Sequence, residues 1–261
     1  MKKTLYSKLR QNLFYFLNLF IVSSLFFSTA CKPTRTYVAD QKVSQYKINA
    51  TNDRDTSVEN TIQPFRAKMS TQMDEVIGSA AKELSTGGIE STLGNWVCDV
   101  MMEQSVKFMG IQADMAFTNS GGLRIRSIMK GNITVGKIYE LMPFDNIYVF
   151  VQCDSAMMQK LCDVLAQKGG GPISGVRFEI VQQKAKNIIV GGKPLQSNRS
   201  YQVATIDYLV NGGSDMGFLK PLPQKNKGIF LRDVLLEGVR SAKRKGKAID
   251  AVTDGRVLIK N

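Results

Sequence analysis

The chain has 261 residues, 43% of them hydrophobic and 22% charged. That is enough for one large domain or two small ones with a sizeable core, and disorder is not the default. It contains no histidine, which excludes an imidazole-built zinc or dinuclear metal site within these residues and any Ser–His–Asp or Cys–His catalytic arrangement. The net charge of +13 favours anionic partners: nucleotides, nucleic acid or acidic lipid head groups.

The N-terminal stretch carries Lys2, Lys3, Lys8 and Arg10, then an apolar run from Leu13 to Phe27, then small residues before Cys31. That layout is an export signal over residues 1–30, its apolar run too short for a comfortable membrane span. Ser28-Thr29-Ala30-Cys31 resembles a bacterial lipoprotein box, departing from it at Ser28, where Leu is usual. The resemblance implies lipidation at Cys31, export and attachment to a bacterial membrane, on its periplasmic or surface face. Signal cleavage with a free cysteine and an uncleaved amphipathic anchor stay open as alternatives. Removing residues 1–30, with four basic and no acidic side chains, takes the charge from +13 to +9. With Cys31 lipidated, Cys98, Cys153 and Cys162 remain, enough for at most one disulfide and one free thiol.

Residues 31–55 are polar and without sustained periodicity, and read as a tether. From residue 56 onward, Val58, Ile62, Phe65, Met69 and Met73 predict an amphipathic helix over 56–73. "EVIGSAAKEL" reads as a strand. Leu93, Val97, Val100, Met101 and Val106 predict a second helix beginning near Glu90, with Asn95 and Asp99 capping and orienting it. "ADMAFTNSGG" is a short apolar strand ending in a turn. "GNITVGKIYELMPFDNIYVFVQC" gives a turn, a short helix, a loop at Pro143–Asn146 and a β-rich run over 147–151. "SAMMQKLCDVLAQKGGG" is a helix stopped by three glycines, its paired methionines gap-filling core. "GVRFEIVQQ" and "NIIVGGKPL" are strands around a Lys-rich turn, and "SYQVATIDYLVNGGSDMGF" is a strand running into a glycine turn. "IFLRDVLLEGVRSA" is a closing helix, continuing into the basic "RSAKRKGK", which reads as a solvated helix end. "GRVLIKN" is a last strand. The pattern is α+β: a single domain over 56–261 with a mixed β-sheet flanked by helices.

Three loops carry candidate chemistry. In "TNSGGLRIR", glycine-freed backbone N–H groups, the Asn119 amide and a guanidinium can coordinate phosphate oxygens. Arg124 and Arg126 on one solvent face after an ordinary turn is the competing reading. "MPFDN" places Phe144 in a loop, less easily explained as core than an aromatic in a strand. "DYLVNGGSDMGF" places Tyr208 before a paired-glycine turn. For both rings the alternative is packing onto the core.

Together, "ESTLGNWVCDVM", "ADMAFTNSGGLR", "GNITVGKIYELMPFDN" and "YQVATIDYLVNGGSDMGF" resemble, in order and spacing, the C-terminal substrate-binding domain of bacterial and animal 5'-nucleotidases and UDP-sugar hydrolases. The resemblance covers residues 56–261. It implies that Asn119 and Gly122 line a nucleotide site, that Arg124 holds a phosphate, and that Phe144 and Tyr208 stack the base. Stacking of this kind is worth roughly 1–3 kcal/mol per base. Asn146 is implied as a base-edge partner, and Arg126 has no implied role. Two positions depart from the family. Ser214 stands where an Asp usually takes the ribose hydroxyls, leaving Asp215 one residue later to do so. Thr92 stands where some members have a phosphate-binding Arg.

In the family a separate metallophosphatase domain holds two divalent metal ions and performs the hydrolysis. The resemblance therefore implies a binding part with no catalytic residue, metal or cofactor of its own, working with a metallophosphatase in trans. A stand-alone nucleotide- or nucleoside-binding lipoprotein is the alternative, and a degenerate interaction domain a third reading. The basic charge also admits non-specific nucleic-acid binding, which ranks last because no interleaved basic–aromatic platform occurs, and no specific nucleic-acid partner is expected.

Overall fold

The computed structural model describes residues 14–18, 20, 44–45 and 55–260. The chain divides into two units, Met1–Arg54 and Asp55–Asn261. In the first, residues 14–18 and 20 are helical. The lipoprotein box with Cys31, and all of the tether except residues 44–45 and 55, lie outside the described residues. No helix among the described residues is long and apolar enough to cross a membrane.

The second unit opens with helix α1, Thr56–Met73, capped by the Asp55 carboxylate, which accepts from the N–H groups of Ser57 and Val58 at 2.9 and 3.2 Å. Its apolar stripe is present but uncovered. Val58, Ile62, Phe65 and Met69 are 41–68% exposed, and only Met73 packs on the core. Strands β1 (Val76–Ala80) and β2 (Leu84–Ser85) follow, then helix α2 (Thr92–Glu103) and the short α3 (Ser105–Met109). The cap of α2 is Ser91, whose Oγ accepts from Gly94 N–H at 3.1 Å. Asn95 and Asp99, expected to cap and orient α2, do not cap it but orient it by fastening it to the C-terminal segment. Asn95 donates to the Val252 carbonyl at 2.8 Å, and Asp99 takes paired bonds from Arg256 at 2.7 and 2.8 Å. The Glu90 carboxylate completes this clasp, accepting from Asn95 Nδ2 and from the backbone N–H groups of Asp254, Gly255 and Arg256.

Next come β3 (Met115–Phe117), β4 (Ser127–Ile128), β5 (Gly131–Thr134), α4 (Val135–Leu141), β6 (Ile147–Cys153), α5 (Ser155–Gln167) and β7 (Ile173–Ser174). The rest of the chain forms β8 (Val176–Val181), β9 (Lys184–Val190), β10 (Lys193–Pro194), β11 (Tyr201–Ile206), α6 (Asp207–Val210), β12 (Gln224–Phe230), α7 (Leu231–Arg244) and β13 (Val257–Ile259). The main sheet has the order β12-β6-β11-β3-β7, mixed because β11 runs parallel to β3 and its other pairings are antiparallel. Strand β6 is buried from Tyr148 through Val151, as its unbroken apolar run requires of a central strand. A second mixed sheet, β10-β9-β8-β13, holds the hairpin β8–β9. Its turn at Gln182 and Gln183 takes φ of 48° and 60°, the doubly left-handed geometry of a tight hairpin, here without glycine. The α+β single-domain architecture with mixed sheets and flanking helices is the one the sequence predicts.

The local differences have tertiary causes. Residues 131–134 form a strand rather than a turn because they pair with β1. The helix α6 intervenes between β11 and the glycine turn. β12, mostly polar and exposed, is an edge strand that exists because β6 offers it a ladder. Cys98, Cys153 and Cys162 are all free and buried.

Candidate functional site

Four loops meet at the C-terminal ends of β3 and β11. The first leaves β3 at Phe117. Residues Ser120–Gly122 form a single 3-10 turn in which Gly122 N–H returns to the Asn119 carbonyl at 3.0 Å. The Asn119 side chain folds back over this turn, so a Cβ on Gly122 would sit 3.1 Å from its Oδ1. Gly122 is thus the buried floor beneath Asn119. Arg124 is exposed and donates to the Gly121 carbonyl at 3.4 Å. Arg126 is also exposed, and its carbonyl pairs with the Thr86 N–H at 2.8 Å.

The second loop, residues 142–146, carries Phe144 with its ring 39% exposed. The Arg124 guanidinium stands 5.5 Å from the centre of that ring, so two residues twenty apart in sequence share one face. Asn146 is half-buried, its amide 3.9 Å from Met142 Sδ and its carbonyl accepting from Leu231 N–H.

The third loop follows β11. Asp207 Oδ1 accepts from Tyr208 N–H at 2.8 Å and from Ile147 N–H at 3.0 Å, tying the Tyr208 segment to the end of the Phe144 loop. Tyr208 is 48% exposed and its ring lies directly over Gly213. Ser214 and Asp215 both adopt left-handed backbone, φ 50° and 61°, a strained geometry of the kind that clusters at ligand clamps. Asp215 pairs with Lys168 Nζ at 2.5 Å.

The fourth loop, Lys168–Pro172, has no counterpart among the residues singled out in sequence, where its glycines read only as a helix stop. Gly170 takes φ 104°, and a Cβ there would collide with the Ile89 carbonyl. Pro172 accepts from Thr118 N–H at 3.2 Å, which seats this loop beside the first.

Asn119, Ser120, Gly121, Lys168 and Ser214, with Met216 beneath, line a cavity of about 320 Å³, within the size range of small-molecule sites. Two polar atoms of its lining residues, Thr118 Oγ1 and Asn119 Oδ1, are buried with no hydrogen-bond partner in the protein. Of the site residues expected from sequence only Asn119 lines this cavity; Gly122, Arg124, Phe144, Asn146, Tyr208 and Asp215 do not. Arg124 and Tyr208 contact the loops that supply it, at Gly121 and at Gly213, and Phe144 stands beside Arg124. Thr92 stands apart, its hydroxyl bonded to the backbone of Ser85. Among the described residues no three His, Cys, Asp or Glu side chains are placed to hold a metal ion. Burial, with Asp154 and Asp163 nearby, pushes the thiols of Cys153 and Cys162 up to about 12, which keeps them protonated and inert as nucleophiles.

Residues 75–221 match the family model described as "5'-nucleotidase, C-terminal domain". The chain is 28% identical over 193 residues to Protein UshA of Yersinia enterocolitica, covering 70% of this chain and 34% of that protein. It is 26% identical over 129 residues to a 5'-nucleotidase of Vibrio cholerae, covering 48% of this chain and 22% of that one. It therefore spans about a third or less of the length of these relatives. The crystal structure of a 5'-nucleotidase precursor from Thermus thermophilus shares the fold with a TM-score of 0.65 at 24% identity, over 79% of this chain and 44% of that one.

Proposed function

The chain belongs to the 5'-nucleotidase C-terminal domain family, and on that premise we propose that it is the nucleotide- or nucleoside-binding part of a 5'-nucleotidase-type hydrolase. In this reading Phe144 and Tyr208 stack the base, with Asn146 at its edge. Asn119, over Gly122, and Arg124 take the phosphate, and Asp215 takes the ribose hydroxyls. The observation that carries the proposal is the cavity itself: three separate loops supply it, and two of its lining residues, Thr118 and Asn119, each keep a buried polar atom without a partner in the protein.

In this reading hydrolysis would come from a metallophosphatase acting in trans; among the described residues no three His, Cys, Asp or Glu side chains are placed to hold its two divalent ions. The metal ions of such a partner would supply polarisation of the phosphate and activation of water. This chain's contribution is to hold the substrate in register, which lowers the entropic part of the barrier. Lipidation at Cys31 would hold the domain at a bacterial membrane facing away from the cytoplasm.

Calorimetric titration with AMP and adenosine is the direct test. Saturable binding that falls by tenfold or more in Phe144→Ala supports the reading, at the scale of one lost stacking face. No binding of any nucleotide or nucleoside sinks it. Adding the chain to a metallophosphatase that lacks its own substrate domain then separates the two roles. Unchanged AMP hydrolysis leaves a stand-alone binder and removes the hydrolase part. A Cys31→Ala variant found in the soluble fraction, against a membrane-bound parent, tests the anchor.

A further inference from the structure

Arg232, in the first turn of α7, is 8% exposed, a rare position for an arginine. All of its visible partners belong to the loop that presents Phe144 or to the residues around it. Its Nη1 donates to the carbonyls of Met142 and Phe144, each at 3.3 Å, and its Nη2 donates to the Asp145 carboxylate at 2.8 Å. The guanidinium lies over the Tyr139 ring at 4.3 Å and near the Phe230 ring at 5.7 Å. One residue earlier, Leu231 N–H bonds the Asn146 carbonyl at 2.8 Å. The start of α7 therefore holds the loop at Met142, Phe144, Asp145 and Asn146.

Removing a guanidinium from water is costly and gains little stability when an apolar side chain could fill the space. The Asp145 carboxylate that it meets is 74% exposed, so their ion pair is screened and weak. What the arrangement achieves is geometry. A planar fork with several donors, stacked on an aromatic ring, can fix two carbonyls and a carboxylate at once, which a lysine cannot. A ring presented by a fixed backbone binds without the ordering cost that a free loop incurs.

We propose that Arg232 is the positioning residue for Phe144: it pre-organises the loop so that the ring stands ready to stack a nucleobase. The proposal rests on the base-stacking reading of Phe144 given above.

The test is a double-mutant cycle in the full chain, with AMP affinity read by calorimetry and thermal unfolding read beside it. Phe144→Ala is expected to weaken AMP binding by about tenfold. Arg232→Lys should weaken it about fivefold, the scale of one segment ordered on binding. In the Phe144→Ala background the Arg232→Lys change should cause no further loss. Asp145→Asn, which leaves the two carbonyl bonds in place, should give a smaller loss with an unchanged melting temperature, and it carries the test if Arg232→Lys does not fold. An Arg232→Lys loss that is equal with and without the Phe144 ring overturns the proposal, as does a lowered melting temperature with unchanged affinity. If Phe144→Ala itself binds AMP as the parent does, the stacking reading falls and takes this one with it. A tenfold loss there, beside full affinity in both loop variants, overturns the positioning role alone.

Discussion

A single methyl group added at Gly213 should remove the Tyr208 side of the site without unfolding the protein. A Cβ built on Gly213 meets three atoms of the Tyr208 ring, the farthest of them at 2.7 Å, where carbon–carbon contact needs about 3.5 Å. The backbone has no reason to yield, because Gly213 has a negative φ that alanine also adopts. The ring does, since at 48% exposure it can swing into water. The stability change in Gly213→Ala should therefore stay within about 1 kcal/mol, the lost ring contact being partly offset by the reduced freedom of the unfolded chain. If Tyr208 stacks the base as proposed, binding should forfeit one stacking face, roughly 1–3 kcal/mol, or about 5- to 150-fold in affinity. Calorimetry with AMP and adenosine measures this, beside a thermal melt and a Tyr208→Ala reference. The reasoning fails if Gly213→Ala binds within about twofold of the parent while Tyr208→Ala does not, because the glycine would then not be what seats the ring.

Glu90→Ala strips four donors of a charged acceptor, at 2.6 to 3.1 Å. At roughly 1.5–3 kcal/mol per charged bond, and with strong non-additivity, about 3 kcal/mol is expected. That is a drop of about 6–12 °C for a domain of this size, and a fall of under about 2 °C would mean water replaces the carboxylate. On the alkaline side, Cys153 and Cys162 are raised in the fold from 9.0 to about 12. Their contribution is complete below about pH 9 and is lost as pH rises towards 12, by about 1.4 kcal/mol per pH unit for each thiol. Melting curves between pH 8.5 and 10.5 should fall less steeply in Cys153→Ala and in Cys162→Ala than in the parent, and parallel slopes would contradict this.

Elements with a strong local signal were legible in sequence. The helix over 56–73, the apolar β6 and the glycine-stopped α5 all announce themselves through periodicity, caps or composition. Phe144 stood out because a large ring in a loop is less easily explained as core, and Tyr208 through its place before the paired glycines in the family pattern. What stayed hidden depends on residues far apart in the chain. Glu90 gains its role from backbone groups more than 160 residues away, and Arg232 from a loop almost 90 residues earlier. Lys168 looked like an ordinary helix end until Asp215 met it from the next loop. The stripe on α1 shows the converse: the periodicity of Val58, Ile62, Phe65 and Met69 gives the helix but says nothing of what covers it.

The two departures from the family pattern become physical statements once the loops are placed. The Thr92 hydroxyl is engaged with the backbone of Ser85, so that position fastens a strand to α2 and contributes no charge to a ligand. Among the lining residues the one cationic side chain is Lys168, paired with Asp215 at 2.5 Å. That pair is 37% and 80% exposed, and an ion pair so open is worth about 0–1 kcal/mol. If Asp215 takes the ribose hydroxyls as proposed, it would leave Lys168 at little cost, and the freed ammonium would be open to an anionic group of the ligand. On the reading proposed above, the one-residue slip from Ser214 to Asp215 keeps a carboxylate for the sugar and adds a cation beside it.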